Sequence, residues 1–208
     1  MKAFYFDVET TGLDPRVDSI LKLAYIIEVD HVIVEEGVLC MKPIDYTTIK
    51  ENGLLESRLR ESSKVNGISI EDIEGFESDV EAFVKLRILL DKYIDKYDKG
   101  DKMHPIGYNV SFDLNFLYQW ASARQFKYLG SYLNHRYIDV MKLVDYLAFR
   151  GKLFLADHKL ETVCKHFKIP IKAHDPAEDI RATRALLQQI SRVLKYQEVE
   201  AEEKCNQK

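Results

Sequence analysis

The sequence is poor in cysteine. It has three in 208 residues, Cys40, Cys164 and Cys205, scattered and without CxxC spacing. That pattern excludes a disulfide framework and a cysteine-built zinc site. Long apolar runs are also missing, and none approaches the ~20 residues of a membrane-spanning helix. No membrane partner is expected. Positive charge is not in excess either. Lys and Arg number 30 against 34 Asp and Glu, a formal net charge of -4. This is no bulk polycation, so any nucleic-acid contact has to come from a local basic patch working against the overall charge. There is no internal repeat and no low-complexity linker. Met1-Lys2 leads straight into a strand-like run, leaving no room for a signal peptide. The expectation is a soluble, intracellular (cytoplasmic) protein.

What is present suits one domain with a real core. Hydrophobic residues make up 46% of the chain, and the length fits a single unit. Residues 2–8 read as a strand. Ile20–Val29 and Val32–Met41 read as two more, joined into a hairpin by a tight turn at Asp30-His31. Residues 42–63 are polar and mixed, with room for one helix. Ser78–Tyr97 has apolar residues in helical period at Val80, Phe83, Val84, Leu86, Ile88 and Leu90. Met103–Tyr108 reads as a buried strand, Ser111–Arg124 as a helix, Arg136–Asp139 as a short strand and Val140–Phe149 as a helix. His158–Phe167 and Pro176–Leu194 follow as two further helices. The organisation is then a domain over residues 1–194 and a short, charged, frayed tail over 195–208. Strands first, then strand-helix alternation, predict one mixed sheet with helices on both faces.

The stretch FYFDVETTGLD, residues 4–14, raises the first chemical question. Side chains alternate along a strand, so Asp7 and Glu9 share one face while Phe4, Phe6 and Val8 share the other. The two carboxylates sit roughly 7 Å apart along the backbone. Left alone beside a hydrophobic strand, two anions repel each other and lose solvation. An exposed strand end or a Lys/Arg partner would satisfy the pair, and so would a bound cation. A second carboxylate stands in GYNVSFDLNFL, residues 107–117. Asn109 or Ser111 caps a helix there, and Asp113 falls in its first turn, where the helix dipole alone favours an acid. A third region, AHDPAEDIRATRALL, residues 173–187, carries a helix start. Asp175 fits N-cap, Pro176 N1 and Glu178 N3, as in a capping box. That register makes His174 and Asp179 neighbours, either as an ordinary surface pair or as part of a site. If Asp7, Glu9, Asp113 and Asp179 converge, divalent cations would keep them ionised. All-oxygen ligation favours Mg²⁺ or Mn²⁺ over zinc, and two such ions form the usual clamp for phosphodiester hydrolysis.

FDVETTGLD, NVSFD and HDPAED, in this order, resemble the three exonuclease motifs of the DEDDh exonucleases. That family includes the proofreading subunit of bacterial DNA polymerase III, the TREX enzymes and RNase T. VNGIS (65–69), YIDVMKL (137–143) and LETVCKHFKI (160–169) resemble further family segments, and the likeness covers roughly residues 3–190. It implies an α/β, ribonuclease H-like fold with a central five-stranded mixed sheet flanked by helices. It implies 3′-to-5′ exonuclease activity with two Mg²⁺ or Mn²⁺ ions and release of nucleoside 5′-monophosphates. On this resemblance Asp7 bridges both ions, Glu9 and Asp179 hold the ion that activates water, Asp113 acts on the other in part through water, and His174 is the general base. Thr10, Thr11 and Leu13 line the slot for the terminal nucleotide, Leu13 as a wedge or as an ordinary turn anchor. Asn109 and Phe112 shape the opposite wall. Asn66 and Tyr108 depart from the family pattern, each standing where many relatives have His.

The expected partner is a single-stranded 3′ end, DNA ahead of RNA. Lys22, Arg58, Arg60, Lys64, Arg124, Lys127 and Arg181 are candidates for phosphate contacts. An exoribonuclease of the RNase T type, a proofreading subunit working with a polymerase, a non-catalytic binding module and a phosphoesterase for small nucleotides are the competing readings. A polymerase partner is compatible with the sequence but not indicated by it.

Overall fold

The computed structural model describes residues 1–172 and 175–206, with side chains up to residue 194. Three strands come first: β1 (Lys2–Thr10), β2 (Ile20–Val29) and β3 (Val32–Cys40). Asp30 and His31 both take left-handed φ, 48° and 69°, which matches the twist a two-residue hairpin needs. The turn is where the sequence puts it. Residues 42–63 differ from expectation. Two helices begin where one was read, α1 (Tyr46–Glu51) and α2 (Leu54–Asn66), and α3 (Ile70–Gly75) follows them. Gly53 and Gly67, with φ of 65° and 67°, bracket α2 and cut the run into pieces. This left-handed backbone suits glycine.

The rest alternates as expected. Helix α4 (Asp79–Tyr93) leads to β4 (His104–Gly107), α5 (Val110–Ala123), β5 (Ile138–Asp139), α6 (Val140–Phe149), α7 (Leu160–His166) and α8 (Pro176–Asn206). Helix α8 continues through the charged stretch expected to form a frayed tail. Its entry also differs in detail. The Asp175 carboxylate accepts from the Ala177 N–H at 3.1 Å, while Glu178 takes the Arg181 guanidinium at 2.8 Å. Among the described residues no helix is long and apolar enough to cross a membrane.

The sheet order is β3-β2-β1-β4-β5. β1 pairs antiparallel with β2 and parallel with β4, and β4 pairs parallel with β5. This five-stranded mixed sheet flanked by helices is the ribonuclease H-like arrangement. Strand alternation feeds two apolar layers. Phe4, Phe6 and Val8 pack with Leu23 and Ile27 against Phe83 and Leu86 of α4 and Leu117 and Trp120 of α5. Burial of each of these large side chains contributes about 1.5–3 kcal/mol. On the other face Ala3, Tyr5, Ala24 and Ile106 meet Val144 of α6, Val163 of α7 and Ile180 and Leu186 of α8. Glu28 of β2, buried on that side, holds Arg184 of α8 at 2.6 Å. A smaller third cluster joins Leu21 to Ile49, Leu55, Leu59, Ile68 and Ile73 under helices α1 to α3.

β1 therefore has one face committed to α4 and α5. Asp7 and Glu9 project toward the α8 side, where the helix carrying Asp179 begins. The β1–β2 ladder shifts register between Glu9 and Thr10, pairing Glu9 with Lys22 and Thr10 with Ile20. Such bulges bend a strand at its rim and re-aim its side chains.

Candidate active site

The C-terminal end of β1 is where separate elements meet. Asp113 lies in the first turn of α5, directly beyond β4, and is only 4% exposed. Its carboxylate accepts the backbone N–H of Val8 at 2.9 Å, so α5 is tied to β1 between Asp7 and Glu9. Asn109 occupies the N-cap position with φ 61° and makes no side-chain cap bond. Its backbone N–H instead donates to Asp139 at 2.9 Å, and Asp139 caps α6 by accepting from Met141 at 3.1 Å.

The electrostatics show that these acids are close. Burial lifts the Asp7 carboxyl well above its usual range, and Asp113, Glu9 and Asp179 push it the same way. Glu9 is raised to about 7, first by burial and then by Asp179. The Asn66 amide and Lys22, its neighbour across the ladder, pull Glu9 back without cancelling the rise. Lys22 is thus the basic partner that a simple ion-pair reading of Glu9 requires, and it is insufficient. Asp113 is also raised to about 7 by burial, against the lowering effect of the Val8 N–H. The physical cause is common: anions held in a partly dry place favour the protonated form. Among the described residues no three or more His, Cys, Asp or Glu form a group that would hold a metal ion as it stands. His174 lies outside the described residues.

A cleft of about 540 Å³ adjoins Glu9, lined by Thr10, Thr11, Leu13, Phe112 and, from α2, Val65 and Asn66. Leu13 stands at 83% exposed on its rim. The Thr10 and Thr11 side chains are committed to the loop. Thr10 donates to the Gly12 carbonyl at 2.6 Å. Thr11 donates to Asp18 at 3.2 Å and accepts from the Ser19 N–H at 3.0 Å. Gly12 packs so near Asp18 that a Cβ would lie 2.4 Å from its carboxylate. Any side chain there would have to displace the Asp18 carboxylate, which accepts from the Thr11 hydroxyl and the Asp14 N–H. Asn109, expected on the cleft wall, is not among its lining residues.

The sequence reading missed Asp139, which raises Asp113, and underrated Asn66. Asn66 donates to the Thr10 carbonyl at 3.3 Å and accepts from Ile68 at 3.1 Å, closing α2 onto the loop. The VNGIS segment was the available signal for Asn66, and a helix-capping Asp the signal for Asp139. Of the basic candidates, Arg58 lines the cleft. Arg181 is engaged by Glu36 and Glu178, Arg124 by Asp79 and Lys64 by Glu61.

The chain is 27% identical over 178 residues to a PolC-type DNA polymerase III of Thermotoga petrophila. The match takes in 85% of this chain and 11% of that protein. A PolC-type DNA polymerase III of Lacticaseibacillus paracasei is likewise 27% identical, over 88% of this chain and 11% of its own length. The chain thus spans about a ninth of the curated relatives it matches. Among solved structures, Escherichia coli Exonuclease I in complex with a dT13 oligonucleotide superposes with a TM-score of 0.72 at 19% identity, covering 94% of this chain and 43% of that one. A second Exonuclease I structure gives 0.68 at 20% identity, over 89% and 39%. These likenesses speak to the fold. The family model RNase_T, described as exonuclease, matches residues 4–187, and the chain belongs to that exonuclease family.

Proposed function

We propose that the chain is a 3′-to-5′ exonuclease that hydrolyses the terminal phosphodiester of single-stranded DNA and releases nucleoside 5′-monophosphates. One observation carries the reading. Burial, and after it the neighbouring carboxylates of β1, α5 and α8, raises the proton affinity of Asp7, Glu9 and Asp113 at the edge of an open cleft. Nothing structural is gained by that repulsion, so a cationic ligand is its natural resolution. The donor set fits two hard divalent ions, Mg²⁺ or Mn²⁺, since every donor is a carboxylate oxygen. Asp7 would help to hold both ions, Glu9 and Asp179 would help to hold one, and Asp113 would help to hold the other, in part through water. Such a pair, when bound, supplies positive charge beside both the attacking and the leaving oxygen.

The chain's own residues do the remaining work. His174 takes the proton of the attacking water, a role its near-neutral intrinsic pKa suits. Leu13 wedges against the terminal base, Phe112 forms the facing wall, and the Thr10–Thr11 backbone receives the 3′-hydroxyl. The Asn109 backbone N–H holds Asp139, which leaves its side chain for the substrate side. DNA is favoured over RNA because the curated relatives are DNA polymerases and the solved neighbour holds a DNA oligonucleotide. The PolC likeness also supports a second reading, in which the domain proofreads alongside a polymerase.

The test is release of a labelled 3′ nucleotide with and without Mg²⁺, on matched single-stranded DNA, duplex DNA and RNA. Asp7→Ala should reduce release to background. His174→Ala should slow it by about 10²–10⁴-fold with oligonucleotide binding kept. Wild-type rates in the first variant would refute the metal assignment. The same rates in the second would remove His174 from the mechanism. Faster turnover of RNA would shift the reading to an exoribonuclease.

A further inference from the structure

The molecule carries an exposed aromatic surface that the reading above does not use. Phe149, at the end of α6, is 85% exposed, and Phe154, in the segment leading to α7, is 83% exposed. Large apolar side chains left out singly are ordinary, but clustered ones mark binding surfaces. Phe149 and Phe154 stand five residues apart on either side of one turn: a Cβ placed on Gly151, two residues beyond Phe149, would lie 3.9 Å from the Phe154 ring. Tyr146 adds a third half-exposed ring, with the Arg150 guanidinium 5.8 Å above it and bonded to its hydroxyl at 3.0 Å.

The display is held in place. Leu153, next to Phe154, is buried in the α6–α8 core. Further on, the His158 imidazole meets Asp145 of α6 at 2.8 Å, and the His158 carbonyl accepts the Tyr108 hydroxyl at the end of β4. The segment is therefore pinned on both sides of a ring that points to solvent. Its local charge is opposite in sign to the net charge of the chain. Residues 140–159 hold Lys142, Arg150, Lys152 and Lys159 against Asp145 and Asp157, a local excess of base in a protein with net charge -4. Helix α6 also starts at the site, because Asp139 caps it and raises Asp113. Ten helical residues carry the chain about 15 Å from there to Phe149.

We propose that Phe149, Phe154 and Tyr146, with Arg150 and Lys152, form a stacking surface for single-stranded nucleic acid lying upstream of the 3′ end. This rests on the exonuclease reading of the adjoining carboxylates. Rings tolerate any base, and the cations meet the phosphates between them. The surface gives long substrates a hold that very short ones lack.

The experiment measures binding by fluorescence anisotropy in EDTA, so that no cleavage occurs, for a 3-mer and a 20-mer of dT. Turnover of both is then followed in Mg²⁺. Phe149→Ala/Phe154→Ala should weaken the 20-mer by about 5- to 100-fold and leave 3-mer turnover unchanged. Phe149→Tyr/Phe154→Tyr should restore the 20-mer, and the Leu pair should not. Equal 20-mer binding by parent and Ala variant overturns the proposal, and marks the patch for a protein partner instead. Parallel loss on both lengths overturns it too. If the parent itself cleaves neither oligonucleotide in Mg²⁺, the exonuclease reading fails first, and that result is distinct from either.

Discussion

Helices α4 and α5 both begin with an acid in the first turn, and the two starts have opposite chemistry. At α4, Ser78 accepts from the Glu81 N–H at 3.2 Å and Glu81 reaches back to the Ser78 N–H at 3.0 Å. The Glu81 carboxyl lies below its usual range, held there by these bonds to Ser78. At α5 the cap residue makes no side-chain bond, and Asp113 turns away to the backbone of β1. Its carboxyl is raised to about 7. The dipole favours an anion at both starts. It loses at α5 because burial and neighbouring anions outweigh a contribution of about 1 kcal/mol. The same sequence feature is thus a stabilising cap in one place and a stabilising opportunity forgone in the other.

That contrast can be broken in three ways. The largest effect is on activity. Asp113→Asn should lower 3′-nucleotide release by about 10–100-fold, as for a group supporting metal ligands, while Glu81→Gln leaves it unchanged. Equal effects from the two would erase the distinction. The next is on stability against pH without divalent ions. Folded Asp113 and Glu9 titrate at about 7, above the usual carboxylate range they return to on unfolding. The folded state binds the extra protons, so their contribution is complete below about pH 4 and is lost as pH rises to about 7. Melting of Asp113→Asn beside the parent should show the variant gaining relative stability over that window, and added Mg²⁺ should narrow the gap by stabilising the parent. A flat difference would sink the assigned shift. The smallest is Ser78→Ala, which should cost about 1 kcal/mol at any pH, a fall in Tm of about 2–4 °C, with activity intact.

Much of this was legible beforehand, for identifiable reasons. The hairpin turn at Asp30-His31 and the bounds of α6 follow from local pattern. So does the face shared by Asp7 and Glu9, because strand alternation is a short-range rule. The division of residues 46–66 into two helices was not legible. It turns on Gly53 adopting left-handed φ, which polar composition hides. The reach of α8 to Asn206 was missed because a charged segment reads equally as tail or as solvated helix. In the site, Asp7, Glu9, Asp113 and Asp179 could be named from the order of the motifs. The Val8 to Asp113 bond, the Asp139 contribution and the Asn66 closure could not, since each joins residues that only the folded sheet brings together. Thr10 and Thr11 line the cleft. That their hydroxyls serve the loop emerges only from partners at Gly12, Asp18 and Ser19.

The register shift at the end of β1 leaves Leu21 with no residue opposite it, and that side chain drops fully out of solvent among Ile49, Leu55, Leu59, Ile68 and Ile73. A single supernumerary residue in β2 is thereby the hinge pin that fastens the α2 wall to the sheet. Trimming it would even out the ladder, and the jaw opposite Leu13 would come adrift without any acid being touched.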